Sequence, residues 1–182
     1  MNAAIAYQPM VRGITFMLKW NILAAVREGI GLISNFTVRK ARPEDVDSMI
    51  KLLRLLFSIE EDFCVDETKQ RRGLEMLLPE DTNRCLLVAE HNQQVIGMCS
   101  AQLVISTAEG GWKALVEDVV IAENYRGCGL GRQLLTELEK WAASQGAKRL
   151  DLFADRHNAG GLLFYDKMKW QHTNLIVLQK KL

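Results

Sequence analysis

A run of three glycines at alternate positions constrains this chain more than any other stretch of its 182 residues. The run, Tyr125–Gly131, lies between an apolar strand pattern at Val116–Ile121 and an amphipathic helical pattern that follows it. Glycine lets the main chain approach a ligand that side chains would keep away. The N–H groups at the start of the helix, with the positive end of its dipole, can bind an anion. The run therefore predicts either a phosphate-binding loop or a tight strand-to-helix turn.

The glycine spacing excludes two common nucleotide loops. Gly127, Gly129 and Gly131 are two residues apart, whereas dinucleotide-binding loops follow GxGxxG and nucleotide triphosphatases follow GxxxxGK[ST]. A pyrophosphate remains the ligand that best suits such a loop.

Apolar patterning predicts an α/β domain with an antiparallel hairpin and one parallel crossover. The predicted strands are Phe36–Lys40, Cys85–Ala89, Val95–Ile105, Trp112–Ile121, Arg149–Ala154 and Ile176–Leu178. The predicted helices run from about Arg42 to Leu56, from Thr68 to Leu78, from Gly131 to Gly146 and from Asn158 to Met168. The strand, helix and strand from Trp112 to Ala154 predict a right-handed crossover between parallel neighbours.

Composition is that of a soluble globular domain. With 48% hydrophobic and 25% charged residues and three prolines, the chain falls outside the disordered, collagen-like and disulfide-scaffold classes. A net charge of +1 provides no strong positive field, so nucleic acid is not an expected partner. The four cysteines and three histidines lack metal-ligand spacing, so no metal site is predicted and a reducing, cytoplasmic setting is expected.

Residues 1–34 differ from the rest and are predicted to be an extension, with the domain over residues 35–182. Lys19, Arg27 and Glu28 interrupt the apolar run Ile14–Ile33, so a membrane span is not predicted, and no signal-peptide cleavage site follows. A helix packed on the domain, an organelle transit segment, a surface that docks on a membrane or partner, and a start codon placed too far upstream remain alternatives.

Several features in a fixed order resemble the GNAT N-acetyltransferases: the spacing Arg126-x-x-Gly129-x-Gly131, the strand before it, the helix after it, and Asn158 followed by Phe164-Tyr165. The resemblance covers about four fifths of the chain, from Phe36 onward, and within the family it is nearest to polyamine-type enzymes. It implies a mixed, mostly antiparallel central sheet with helices on both faces and a splayed parallel strand pair. It also implies an acetyl-CoA-dependent enzyme that acetylates an amine by direct attack in a ternary complex.

The resemblance implies a binding site for coenzyme A between the splayed strands Trp112–Ile121 and Arg149–Ala154. The main chain of Val119, Val120 and Ile121 would pair with pantetheine. The pyrophosphate would lie on Arg126, Gly127, Cys128, Gly129, Leu130, Gly131 and Arg132, and Asn158 would contact the coenzyme arm. One departure concerns Lys169, which stands before Trp170 where the family usually has glycine, and this puts the local turn in question.

Two neighbouring carboxylates interrupt an otherwise apolar strand and are candidates for a general base. Strand alternation places Glu117 on the face of Val119 and Ile121 and places Asp118 on the opposite face, unless a bulge intervenes. Glu117 is the predicted base, acting directly or through water. The alternative is a carboxylate paired with a basic neighbour.

Tyr165 is the predicted general acid. It follows Asn158 by two helical turns, and the family places a thiolate-protonating tyrosine here. A phenol with a pKa near 10 can donate to a thiolate. An ordinary core aromatic is the alternative for Tyr165, and Cys128 is interpreted as a loop residue rather than a nucleophile.

The acceptor is predicted to be a small-molecule or protein amine. The acidic segments Glu60–Asp62 and Asp66–Glu67 could attract a cationic amine, or could be solvated surface. A homodimer is left open as a partner, and a non-catalytic acetyl-CoA-binding regulatory module is the alternative to an enzyme.

Overall fold

The computed structural model describes residues 36–59, 63–79 and 82–181. Within them the chain forms five strands and four α-helices: β1 Phe36–Lys40, α1 Val46–Phe57, α2 Glu67–Leu77, β2 Arg84–His91, β3 Gln94–Ser106, β4 Gly111–Ile121, α3 Leu130–Ser144, β5 Leu150–Leu152 and α4 Ala159–Lys167. The predicted extension, residues 1–34, and the acidic residues Glu60–Asp62 lie outside the described residues.

The strands form one mixed sheet in the order β1-β2-β3-β4-β5. The first three pairings are antiparallel, and β4 and β5 are parallel. The parallel register covers only Ala114–Val116 against Leu150–Leu152, while β4 continues to Ile121. The sheet confirms the predicted mixed topology, and β4 extends well beyond the last residue paired with β5.

Helices cover both faces of the sheet, as predicted. α3 buries Leu134, Leu135 and Leu138 completely against one face, in a cluster that includes Val116. α1 and α2 cover the other face in a second cluster that includes Leu53. α1 and α3 each have one apolar stripe, which is the side they bury. Among the described helices, none has the length and apolar character needed to span a membrane.

An ion-pair cluster joins the sheet edge to the start of α1. Arg39 on β1 donates to both oxygens of Asp45, at 2.7 and 2.9 Å, and its Nε donates to Glu90 on β2 at 2.9 Å. Burial alone would raise the pKa of Asp45, but hydrogen bonds from Arg39 and the Arg42 main chain outweigh it and hold that pKa below its usual range. The cluster thus fixes the entry to α1.

α3 and α4 end with the same turn although their residues differ. Gly146 follows α3 with φ 81°, and Lys169 follows α4 with φ 69°. At the α4 end, Trp170 N donates to Tyr165 O and Lys169 N donates to Asp166 O, the bonding pattern of a Schellman motif. The glycine that Lys169 replaces is therefore not required for this turn.

The predicted closing strand at Ile176–Leu178 is wrong. Residues 171–181 form no strand, and the side chains of Leu175 to Leu178 are 51–87% exposed. A β-branched apolar run favours a strand, but a strand forms only where a neighbour pairs with its N–H and C=O groups. The adjacent prediction Arg149–Ala154 shortens to Leu150–Leu152, which leaves little sheet edge in that region.

Candidate active site

β4 contains a β-bulge at its two carboxylates. Met98 on β3 pairs with Val120, and Ser100 pairs with Glu117, so two steps on β3 match three steps on β4. Asp118 lies inside the irregularity with φ 55°, a left-handed conformation that aspartate adopts more readily than most residues. The bulge interrupts β4 just beyond the point where its pairing with β5 ends.

The bulge changes which residues share a face. Glu117 lies opposite Ser100 and therefore on the face covered by α1 and α2, together with Val120. Val119 and Ile121 pack in the cluster under α3. The prediction that Glu117 shares a face with Val119 and Ile121 is therefore wrong, because the extra residue reverses the alternation.

Glu117 is exposed, and its side chain is held by a neighbour on β3. Gln102 Nε2 donates to Glu117 Oε2 at 3.3 Å, a contact with a neutral amide. This geometry leaves the carboxylate accessible from the α1 and α2 side of the sheet. Asp118 lines a cleft on the same side, so the bulge brings both carboxylates to one face.

Two glycines of the loop have conformations that other residues rarely adopt. Gly127 has φ 78° and Gly129 has φ 86°, and a Cβ at either position would meet no heavy atom within 4 Å. Gly129 also precedes α3 without any side-chain cap. The first N–H groups of α3 thus have no side-chain acceptor from the Gly129 position, and N–H groups at a helix start are groups that bind phosphate. This cradle fits the pyrophosphate of a coenzyme.

Gly131 has a different role from the other two glycines. A Cβ at Gly131 would lie 3.1 Å from Cζ of Phe164 on α4, closer than nearly all real contacts. Gly131 thus allows α4 to pack against the start of α3. The loop prediction treated all three glycines as openings for a ligand, and for Gly131 the structure shows helix packing instead.

Arg126 ties the loop to the end of β4. Its Nε donates to the Ile121 carbonyl at 3.1 Å. Cys128 Sγ lies 3.7 Å from the Arg126 carbonyl, and Arg132 is exposed on the first turn of α3. The Arg126 hydrogen bond holds the loop at the end of β4, beyond its pairing with β5.

α4 carries the remaining predicted residues. Asn158 caps the helix, with Oδ1 accepting from Gly161 N at 2.9 Å. The ring of Tyr165 is partly buried in the cluster under α3, with ring centroids 5.3 Å from Phe164 and 6.0 Å from Trp170. Tyr165 and Glu117 therefore belong to opposite faces of the sheet.

A cleft of about 160 Å³ lies between α1, α2 and β4. We call it the α1–α2 cleft; it is lined by Leu53, Phe57, Gln70, Gly73, Leu74, Leu77 and Asp118. The sequence interpretation missed this cleft. Gly73, in the middle of a helical pattern, was the signal that could have pointed to it, because glycine is unfavourable there without a local reason.

Buried thiols are not candidates for the chemistry. Burial raises the pKa of Cys85 to about 11. Burial, with smaller contributions from Cys85 and Asp118, also raises the pKa of Cys99. Across residues 36–59, 63–79 and 82–181, no group of three or more His, Cys, Asp or Glu side chains could hold a metal ion.

Comparisons with known proteins identify the family. The model of the acetyltransferase (GNAT) family matches residues 47–170. The chain is 21% identical over 153 residues, 84% of this chain and 68% of the relative, to the uncharacterized N-acetyltransferase MJ1207 of Methanocaldococcus jannaschii.

Solved structures show the same fold at low identity. Glucosamine-6-phosphate N-acetyltransferase from Arabidopsis thaliana has a TM-score of 0.65 and 20% identity, covering 81% of this chain and 99% of that chain. AAC(6')-Iy, in complex with the bisubstrate analog CoA-S-monomethyl-acetylneamine, has a TM-score of 0.69 and 14% identity, and the match covers 81% of this chain and 99% of that chain. The nearness to polyamine-type enzymes stays a prediction. The family model spans more than half of the sequence, and the chain therefore belongs to the acetyltransferase (GNAT) family, whose members use acetyl-CoA as co-substrate.

Proposed function

We propose that this protein transfers an acetyl group from acetyl-CoA to a small cationic amine by direct attack in a ternary complex. The observation that carries the proposal is the second half of β4, which contains a bulge with two carboxylates, continues beyond its pairing with β5 and leads to a helix start without a side-chain cap. Each feature alone has a structural explanation. Together they support a coenzyme site with charged groups beside it.

The coenzyme would bind along the diverging part of β4. The main chain of Val119, Val120 and Ile121 would pair with the pantetheine amides, and the loop from Arg126 to Arg132 would hold the pyrophosphate. Asn158 would contact the coenzyme arm from α4, in addition to capping that helix. Bound acetyl-CoA would supply an activated thioester.

Glu117 would act as general base. The attacking amine must lose a proton, and an exposed carboxylate on the α1 and α2 face can accept it directly or through water. Tyr165 would act as general acid for the departing sulfur.

The rival function is a regulatory module that binds acetyl-CoA without turnover. The accessible Glu117 and the position of Tyr165 in the cluster with Val119 and Ile121 favour the enzyme. A cytoplasmic setting stays a prediction, as does the homodimer.

A paired thermal-shift experiment tests the coenzyme site. Acetyl-CoA at about 100-fold above its Kd would add about 2.7 kcal/mol of stability, or roughly 5 to 10 °C in Tm for a chain of this size. Gly129→Asp should abolish that shift, since it adds a side chain and a negative charge at the cradle.

Gly110→Asp is the matched control. Gly110 also has a positive φ, 59°, and open space around its Cβ position, but it lies in the turn before β4. It should lower the Tm of the free protein to a similar extent and retain the acetyl-CoA shift. Wild-type protein that shows no shift at millimolar acetyl-CoA would contradict the proposed function.

A further inference from the structure

We infer that the acceptor is a monoamine with an apolar body, and that the α1–α2 cleft holds this body. The inference rests on the proposed function and deepens it by naming the acceptor class.

The wall of the α1–α2 cleft has the chemistry of a monoamine site. Four of its side chains are apolar, one is the amide of Gln70, and Asp118 is the carboxylate that the described residues contribute. A carboxylate at the edge of an apolar surface suits one ammonium group attached to a hydrocarbon arm. A second ammonium group held inside the cleft would be desolvated against leucine side chains, because Asp118 is the one carboxylate among the described lining residues.

Gly73 keeps part of this cleft open. It lies inside α2, where glycine is less favourable than alanine, and a Cβ there would meet no heavy atom within 4 Å. Packing therefore does not require a glycine at this position. Gly73 is on the helix face of Gln70 and Leu77, three residues after one and four before the other, and both line the cleft. A larger side chain at residue 73 would project toward the space that the acceptor needs.

Asp118 is the second unfavourable local feature at the same cleft. Its φ of 55° belongs to a region that residues other than glycine rarely occupy. Such conformations persist where the surroundings impose them, and they are concentrated at binding and catalytic sites. The bulge and the helical glycine are far apart in sequence, yet both border one cavity. A shared ligand explains why the chain retains both.

The size of the cleft suits a short arm. A volume of about 160 Å³ corresponds to about five water molecules at their share of liquid volume. This is room for a phenyl ring or a branched or linear alkyl group, rather than for a sugar ring system. Phe57 in the wall stacks on Phe63 with ring centroids 5.3 Å apart, and Phe63 and Val65 are 46% and 45% exposed. Apolar surface thus continues beyond the cleft.

A matched pair of amines tests the acceptor class in the wild-type protein. Pentylamine and 1,5-diaminopentane have the same carbon chain and differ by one amino group. We expect kcat/KM for thiol release from acetyl-CoA to be at least 10-fold higher with pentylamine, and phenethylamine to be a substrate while spermidine is poor. An equal rate or a preference for the diamine would overturn the inference.

Two substitutions on α2 test the location. Gly73→Leu should raise KM for phenethylamine at least 10-fold with KM for acetyl-CoA unchanged, because the side chain fills the cleft. Met76→Leu is the control, because Met76 lies on the same helix, is 64% exposed and does not line the cleft, so KM for phenethylamine should stay within about 2-fold. Leucine favours helix, so neither Tm should fall below that of wild type. An unchanged KM in Gly73→Leu would overturn the location.

Failure of this inference can be distinguished from failure of the proposed function. Thiol release with spermidine or an aminoglycoside, but not with monoamines, would overturn the acceptor class and leave the acetyltransferase proposal intact. If no amine releases thiol, calorimetric titration of phenethylamine into CoA-loaded protein still decides the site. Binding that Gly73→Leu weakens at least 10-fold would support the cleft, and no binding would overturn it.

Discussion

The two halves of β4 differ although they are one continuous strand. From Trp112 to Val116 the strand pairs with β3, the last three of these residues also pair with β5, and Val116 is 1% exposed. From Glu117 to Ile121 the strand still pairs with β3 but no longer pairs with β5. The first half has the packing of a sheet interior. The second half has a bulge, two carboxylates and main-chain groups beside the loop.

This difference shows how a single strand can provide both stability and a reactive site. Main-chain groups that a neighbouring strand already binds are not available to a ligand, whereas those past the last pair are. A bulge between the halves allows the second half to present different side chains without disturbing the first. We therefore expect substitutions in the first half to change stability and substitutions in the second half to change turnover.

The largest expected effect is in the second half. Glu117→Gln should lower kcat about 100-fold, within the usual range for one acid–base group, with Tm unchanged because the side chain is exposed. Part of the lost activity should return at high pH, where free amine is abundant and needs no general base.

Asp118→Asn is the control for that assignment. It should mainly raise KM for the amine. If instead it lowers kcat more than Glu117→Gln at unchanged Tm, the base is Asp118, and the bulge has exchanged the roles of the two carboxylates.

A smaller effect is expected in the first half. Val116→Ala should lower the free energy of unfolding by about 2 kcal/mol, because it removes two methyl groups from a packed core, while kcat and both KM values stay at wild-type levels. Val104→Ala on β3, where the side chain is 40% exposed, should change stability by less than about 0.5 kcal/mol. Urea denaturation of both variants gives the comparison. Loss of acetyl-CoA binding in folded Val116→Ala would show that the halves are not independent.

The smallest effect concerns Asp151, which links β5 to the first half of β4. Lys113 Nζ on β4 donates to Asp151 at 2.8 Å, and Arg149 Nε, two residues before Asp151, donates to it at 2.9 Å. Burial alone would raise the pKa of Asp151, but these hydrogen bonds and charges outweigh it and lower that pKa. Asp151→Asn should therefore cost about 0.5 to 1 kcal/mol at pH 7.

That cost should depend on pH in a fixed direction. A pKa below the unfolded value of about 3.9 stabilises the folded state above that pH and stops doing so as pH falls through the folded pKa. Denaturation at pH 7 and at pH 2 to 3 should show the difference between wild type and Asp151→Asn shrinking in acid. A difference that stays constant would mean that the ion pairs do not link the strands energetically.

Sequence patterns predicted those strands, helices and loops whose structure depends on residues adjacent in the chain. β1 covers the predicted residues Phe36–Lys40, a short run of alternating polar and apolar residues. The loop between β4 and α3 was also predicted, since Gly127 and Gly129 have conformations that favour glycine. The strand β1 and this loop depend on residues close together in the chain, so the local sequence indicates them.

The sequence predictions were wrong or incomplete where contacts between residues far apart in the chain determine the structure. The bulge adds a residue to β4 through its register with β3, and the pair Glu117-Asp118 gave no sign of it beyond the tolerance of aspartate for positive φ. The tail at 175–178 has the composition of a strand, but composition does not supply a partner. The α1–α2 cleft combines residues from three separate elements, so only the folded chain reveals it. The catalytic roles of Glu117 and Tyr165 stay predictions.

Lys169 shows that a helix-ending turn can form without the glycine that the family usually has at this position. Two main-chain hydrogen bonds and the packing of Trp170 on Tyr165 impose the left-handed conformation on a lysine. The information for this turn is thus held redundantly, by its surroundings as well as by residue identity. A family motif that demands glycine here would reject a chain that makes the same turn. At this position, a left-handed backbone conformation identifies distant relatives better than the presence of glycine does.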